Sequence, residues 1–227
     1  MIRNILFDLD ETLLDFKKSE RRALENMLTS IGVTPTEDIV HRYSEINKSR
    51  WKLLEQGIIN RQQVKESRYE LLFKELGVDF SPAEATAYYE EQLSQKGFLF
   101  PETIPLLEAL HEKYDLYIVS NGGARVQNGR LADSGIGKYF KDIFISEEAG
   151  AEKPSAEFFD YCFSRMKDAK IEESVIIGDS LTSDIQGGIN CGITTIWFNP
   201  GHETSAGVQP DYQVEKLMDI PRLIGEL

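Results

Sequence analysis

The chain is poor in the residues that build metal clusters and crosslinks. Among 227 residues there are two cysteines and three histidines, with no CxxC pair and no histidine cluster. A structural zinc site is therefore not expected, and Cys162 and Cys191 read as reduced, packed thiols of a cytoplasmic protein. No run of about 18 apolar residues occurs, so no membrane-spanning helix is expected. A strand signal starting at Ile2 leaves no room for a signal-peptide pattern, so export is not expected either. No GxxxxGK[ST] is present, which argues against a Walker-type NTPase. Neither an internal repeat nor a low-complexity segment interrupts the chain. Positive charge is also scarce. With 25 Lys and Arg against 38 Asp and Glu, the net charge is −13, which opposes binding to a nucleic-acid backbone.

The acidity is unevenly spread. Residues 16–95 hold 12 basic and 13 acidic side chains, whereas the remainder holds 13 basic and 25 acidic. A phosphate-bearing ligand approaching the remainder would meet repulsion unless a metal ion or a lysine offset it.

That remainder carries five short apolar runs, Ile2–Phe7, Leu116–Ser120, Ile143–Ser146, Val175–Gly178 and Thr194–Phe198, and a candidate edge strand at Tyr212–Val214. Helical patterns at Ile104–Lys113, Arg125–Ser134, Ala156–Lys167 and Asp184–Asn190 lie between the last runs. Strands alternating with helices predict a parallel sheet covered on both faces, an α/β fold. Residues 17–96 differ, with apolar residues at helical spacing and almost no strand signal. Gly32, Gly57 and Gly77 are placed to stop helices, and Pro35 and Pro82 to begin them. About four helices are expected there, inserted after the first strand and ending near Phe100-Pro101.

The chemistry begins at ILFDLDETLLDF, Ile5 to Phe16, where a core strand runs directly into Asp8 and Asp10. In extended chain, residues two apart face the same way, so the two carboxylates share a space unless the chain turns between them. Left unpaired they would raise each other's pKa, a cost that a divalent cation removes. In open α/β sheets ligands bind at the carboxyl ends of the strands. Here those ends carry Asp8, Asp10 and Thr12 after the first strand, and Ser120 and Asn121 after the second. Asp179 follows the fourth, and Asp184 lies five residues further on. Lys153 precedes Pro154 after the third, a position that reads as a helix N-terminus. Singly, each could be a turn former, a cap or a solvated charge. Together they converge on one rim.

This ordered set resembles the haloacid dehalogenase (HAD) superfamily of phosphohydrolases. DLDET matches its first motif, Ser120 the second, Lys153 the third and GDSLTSD the fourth, over the whole chain. FDLDETLLDF and IVSNGG resemble the branch of pyrimidine 5′-nucleotidases that act on noncanonical substrates. The resemblance implies a Rossmann-like core over residues 1–15 and 97–227 with an inserted all-helical cap over 16–96. It implies a Mg²⁺-dependent phosphatase acting on a small phosphorylated metabolite through an aspartyl-phosphate. Asp8 would be the nucleophile and Asp10 the general acid and base, with Thr12 supporting that geometry. Mg²⁺ would take Asp8, the backbone carbonyl of Asp10, and Asp179, with Asp184 supporting the metal and Lys153 from behind. Ser120, Asn121 and Lys153 would hold the phosphoryl oxygens, and the cap would exclude water and read the leaving group. In the cap, FKKSERRAL gathers Lys17, Lys18, Arg21 and Arg22, expected as a solvated face balanced by Glu20 and Glu25. Trp51 and Tyr69 are expected in the bundle core.

Three rival readings use similar parts. A haloacid dehalogenase of this superfamily lacks the second aspartate, so Asp10 weighs against it. A sugar-phosphate phosphatase or hexose-phosphate mutase would need the same core with a different cap. A phospho-accepting signalling module would need neither Asp10 nor so large an insertion.

Overall fold

In the computed structural model, which describes residues 1–205 and 207–227, the chain forms two compact units. One is Met1–Phe16 with Gly97–Leu227, and the other is Lys17–Lys96.

The first unit is built on a six-stranded sheet, β1 (Asn4–Phe7), β2 (Asp115–Ser120), β3 (Asp142–Ile145), β4 (Ser174–Gly178), β5 (Thr194–Phe198) and β6 (Tyr212–Val214). The order is β3-β2-β1-β4-β5-β6 and every pairing is parallel. β1 lies between β2 and β4, with Asn4 opposite both Asp115 and Ser174. Its four residues are all buried, as a central strand covered on both faces requires. Alternation sorts the side chains between two cores. Ile5, Phe7, Ile118 and Ile177 face a cluster with Leu106 and Leu107 of α5 (Thr103–Leu110) and Ile220 and Ile224 of α10 (Ile220–Gly225). Leu6, Val119 and Ile176 face the other way, onto Phe158, Phe159 and Cys162 of α8 (Ala156–Phe163). Between these lie α6 (Ala124–Ser134), α7 (Ser146–Ala149) and α9 (Gln186–Cys191).

The strand runs form where their patterns predict, and the edge strand β6 is present. Helix ends differ more. The helix predicted to reach Lys167 stops at Phe163, where the Ser164 hydroxyl turns back to the Tyr161 carbonyl at 2.8 Å. The helix predicted from Asp184 is preceded by a wide, π-type turn over Leu181–Ile185, which runs straight into α9. Lys153 does not head α8. The N-cap is Ser155, whose hydroxyl accepts from the Phe158 amide, so Lys153 lies two residues before the N-cap.

The second unit contains α1 (Phe16–Ser30) from its second residue on, α2 (Glu37–Glu55), α3 (Arg61–Leu76) and α4 (Pro82–Ser94). Pro82 starts α4 behind the Ser81 N-cap, whereas Pro35 lies outside α2, whose N-cap is Thr36. Gly77 ends α3 with φ of 65°, a left-handed conformation that glycine adopts without a Cβ penalty. Tyr43, Tyr69 and Tyr89 are fully buried around the Arg68 guanidinium, which lies 4.7 Å from the Tyr89 ring centroid. Glu20 is turned into this core and accepts from Asn47 Nδ2 at 2.6 Å and Ser44 at 2.5 Å. It is a buried part of that core rather than a solvated surface acid. Arg21 instead pairs with Glu25 at 2.8 Å and with Glu37. Tyr69 is core as expected, while Trp51 is only partly buried and carries Arg61 5.8 Å from its ring centroid.

Candidate active site

The tip of β1 explains how two neighbouring acids coexist. The Asp8 amide still donates to Ile177 O at 2.8 Å, extending the sheet by one bond. The chain then turns sharply. Leu13 and Leu14 donate to Leu9 O, and Glu11 adopts φ of 60° to close the loop. After that turn each carboxylate has its own cation. Asp8 Oδ1 accepts from Lys153 Nζ at 2.7 Å, whereas Asp10 Oδ1 accepts from Arg130 Nη1.

Lys153 joins three strand ends. Its ammonium donates to Asp8 Oδ1 at 2.7 Å, Asp184 Oδ1 at 2.7 Å and the Val119 carbonyl at 2.6 Å. An ammonium has three protons, so all three are used. Burial works against its charge, but Asp184 and Asp8 outweigh that effect and hold its pKa above the ordinary lysine range. A phosphoryl oxygen could be contacted directly only if one proton changed partner. Asn121 holds Lys153 from behind, its Oδ1 accepting from the Lys153 amide and its Nδ2 donating to the Lys153 carbonyl, both at 2.9 Å. This use of the Asn121 side chain was not foreseen from sequence. Ser120 is buried and its hydroxyl oxygen accepts from Gly122 N at 3.1 Å and Gln127 Nε2 at 2.9 Å. Both contacts use the oxygen as acceptor, which leaves its own proton to donate. Thr12 is wholly buried, and its hydroxyl has no hydrogen-bond partner among the described residues.

Three acids share the remaining space. Carboxylate oxygens of Asp8, Asp179 and Asp184 lie within 4.8 Å of one another. Desolvation pushes Asp8 up to about 7, Lys153 opposing it while Asp184 and Asp10 add to it. Desolvation likewise pushes Asp179 well above its ordinary value, followed by the charges of Asp8 and Asp184. One ammonium among three carboxylates leaves an excess of negative charge on hard oxygen donors. That donor set fits Mg²⁺. Asp184 is the least free of the three, because its Oδ1 takes Lys153 and its Oδ2 takes the Ser180 amide at 3.1 Å. A Cβ on Gly178 would collide with the Asp184 carboxylate, so glycine at the end of β4 makes room for it. The Asp179 carbonyl is fixed by the Trp197 indole N–H at 2.8 Å.

Two further residues escaped the sequence reading. Gln127 and Arg130, one helical turn apart on the buried side of α6, both reach Asp10. The clue was their i, i+3 spacing beside Val126 and Leu131, which places polar side chains on an inward face.

The model of the haloacid dehalogenase-like hydrolases matches residues 2–192. The chain belongs to that family. Among relatives of this HAD hydrolase, the pyrimidine 5′-nucleotidase PynA of Streptococcus pneumoniae is 40% identical over 95% of this chain and 92% of its own. YfnB of Bacillus subtilis is 37% identical over 98% and 95%. The pyrimidine 5′-nucleotidase YjjG of Escherichia coli is 31% identical over 97% and 96%. A crystal structure of YfnB bound to magnesium superposes with a TM-score of 0.94, covering 98% of both chains.

Proposed function

We propose that this HAD hydrolase is a Mg²⁺-dependent phosphatase that hydrolyses pyrimidine nucleoside 5′-monophosphates through an aspartyl-phosphate on Asp8. The observation that carries the chemistry is the Asp8 carboxylate, held by Lys153 beside Asp179 and Asp184 at the strand ends. The substrate class is supported by IVSNGG and FDLDETLLDF and by the names of PynA and YjjG.

In the first step an Asp8 oxygen forms a bond to phosphorus and the bond to the leaving oxygen breaks. Asp10 delivers a proton to that oxygen, so the nucleoside departs as a neutral alcohol. In the second step water attacks phosphorus and loses a proton to Asp10. The bond to Asp8 breaks, and inorganic phosphate leaves with Asp8 restored. Lys153 holds Asp8 in place and offsets its charge, Asn121 fixes the Lys153 backbone, and the Ser120 proton is available to a phosphoryl oxygen. Asp8, Asp179 and the Asp10 carbonyl would hold Mg²⁺, with Asp184 behind them; the ion would supply charge neutralisation for the phosphoryl group. Selectivity among leaving groups is assigned to residues 17–96, acting as a cap, since the acidic core is suited to phosphate only through its cations.

The test is phosphate release from a panel of nucleotides and sugar phosphates, with Mg²⁺ and with EDTA. Strong turnover of pyrimidine nucleotides only with Mg²⁺ is expected. Full activity without metal would remove the mechanism, and turnover confined to sugar phosphates would remove the substrate assignment.

A further inference from the structure

We infer that Gln127 and Arg130 are positioning residues for the Asp10 side chain, fixing the acid–base carboxylate for both proton transfers. The inference rests on the phosphatase reading above. Gln127 Nε2 donates to Asp10 Oδ2 at 2.7 Å, and Arg130 Nη1 donates to Asp10 Oδ1, so each oxygen has its own anchor. The two anchors are tied together, because Arg130 Nη1 also donates to Gln127 Oε1 at 3.0 Å. Gln127 Nε2 additionally reaches Ser120 at 2.9 Å, linking the acid–base group to the strand end expected to meet the phosphoryl group.

Stability alone does not account for this arrangement. Arg130 is fully buried, and its Nε and Nη2 have no hydrogen-bond partner among the described residues. Its guanidinium carbon lies 5.4 Å from the Phe16 ring centroid. A buried guanidinium that leaves two nitrogens without a protein acceptor is an unfavourable way to fill a core, and such groups call for a functional reason. Backbone is also shaped around the network, since a Cβ on Gly122 would collide with the Gln127 side chain. Apart from these two donors, no other hydrogen bond to the Asp10 side chain is seen among the described residues; its carboxylate is 29% exposed, so without them it could rotate toward solvent. Misplacement of a reacting group by about 1 Å can cost on the order of 10²-fold in rate.

The experiment compares wild type, Gln127→Met and Arg130→Lys with p-nitrophenyl phosphate and uridine 5′-monophosphate, each variant checked for native circular dichroism. Aryl phosphate needs little leaving-group protonation, whereas the nucleotide needs it fully. The variants should lose about 10- to 100-fold in kcat on the nucleotide with KM nearly unchanged. On aryl phosphate they should release one p-nitrophenol per active site in a burst, then turn over slowly as phosphate label accumulates on the protein. In an Asp10→Asn background, adding Gln127→Met should cost less than about threefold, because the group it positions is already gone. Equal losses on both substrates without a burst, or full additivity with Asp10→Asn, would place Gln127 in phosphate binding through Ser120 and overturn the inference. So would unchanged or faster turnover, which would mark the contacts as a resting position. Arg130→Lys keeps the charge and serves if Gln127→Met does not fold. If wild type itself showed neither Mg²⁺-dependent turnover nor label on Asp8, the phosphatase reading would fail first and this inference with it.

Discussion

Lys153 and Asp8 meet at 2.7 Å across 145 residues of chain, and that ion pair is almost wholly removed from solvent. The same ammonium serves Asp184 at 2.7 Å, so a single lysine is the positive centre for Asp8, the proposed nucleophile, and for the acid behind it. Losing it has two separable consequences. Lys153→Met should lower folding stability by about 3–5 kcal/mol, the usual result of leaving buried charge without its partner. It should also lower kcat by about 10²–10³-fold on every phosphomonoester alike, because charge stabilisation at the phosphoryl group is lost whatever the leaving group. Denaturant melts and a substrate panel measure the two effects. Losses that differ by orders of magnitude between substrates would place Lys153 in leaving-group recognition.

Asp10→Asn separates proton transfer from metal binding. The amide matches the carboxylate in size and leaves the backbone carbonyl untouched, so Mg²⁺ affinity should be nearly native. Turnover should fall by about 10²–10⁴-fold, the usual contribution of a general acid–base group. With an aryl phosphate, Asp8 can still attack, and labelled phosphate should accumulate on the protein. Asp8→Asn should give neither turnover nor label. Near-native turnover of folded Asp10→Asn would end the acid–base assignment.

The three carboxylates within 4.8 Å predict that metal binding stabilises the fold. At 100 times its dissociation constant a ligand adds about 2.7 kcal/mol. For a chain of this size that corresponds to roughly 5–10 °C in Tm. Scanning calorimetry with Mg²⁺ and with EDTA measures it, and Asp179→Asn should abolish most of the difference. An equal shift in that variant would move the cation elsewhere.

The buried tyrosines predict behaviour at high pH. Desolvation pushes Tyr43 up to about 12, and pushes Tyr69 and Tyr89 well above their ordinary value, against the lowering effect of Arg68. A phenol whose folded pKa exceeds its unfolded one near 10 favours the folded state fully below pH 10. That contribution is lost as pH rises toward 12. Ultraviolet titration should therefore find these three phenols silent between pH 10 and 11 in native protein, and denaturant melts should weaken above pH 10. Normal titration of all nine tyrosines in folded protein would contradict the packing.

The strands and the acid-bearing rim were legible because both rest on local chemistry. Apolar β-branched runs bounded by turns have few alternatives as strands, and a parallel order places their ends together. The sequence therefore pointed to Asp8, Asp179, Asp184 and Lys153 as one group, and they meet. What Lys153 spends its protons on was not legible, since that depends on partners 31 to 145 residues away in the chain. Gln127 and Arg130 were missed for a different reason. On a helix after a Gly-Gly turn, glutamine and arginine read as solvent-facing, and their i, i+3 spacing beside Val126 and Leu131 is a weak signal that tertiary packing makes decisive. Glu20 misled in the same way, as an acid among surface bases that in fact belongs to the interior.

The loop after β1 has a consequence for how such proteins can change. The Asp15 amide donates to Phe98 O at 2.9 Å and Leu14 bridges to Leu99, so the α/β unit closes its own gap where residues 17–96 depart and return. Exit and entry are neighbouring points pinned by the sheet-bearing unit itself, and lengthening an already closed loop adds little entropic cost. The insertion is thus interchangeable in principle. Its length and surface can be rewritten, or another bundle spliced in, while the tip that carries Asp8 and Asp10 keeps its shape. On the proposed division of labour, new substrate preferences can then arise without disturbing the carboxylates at that tip.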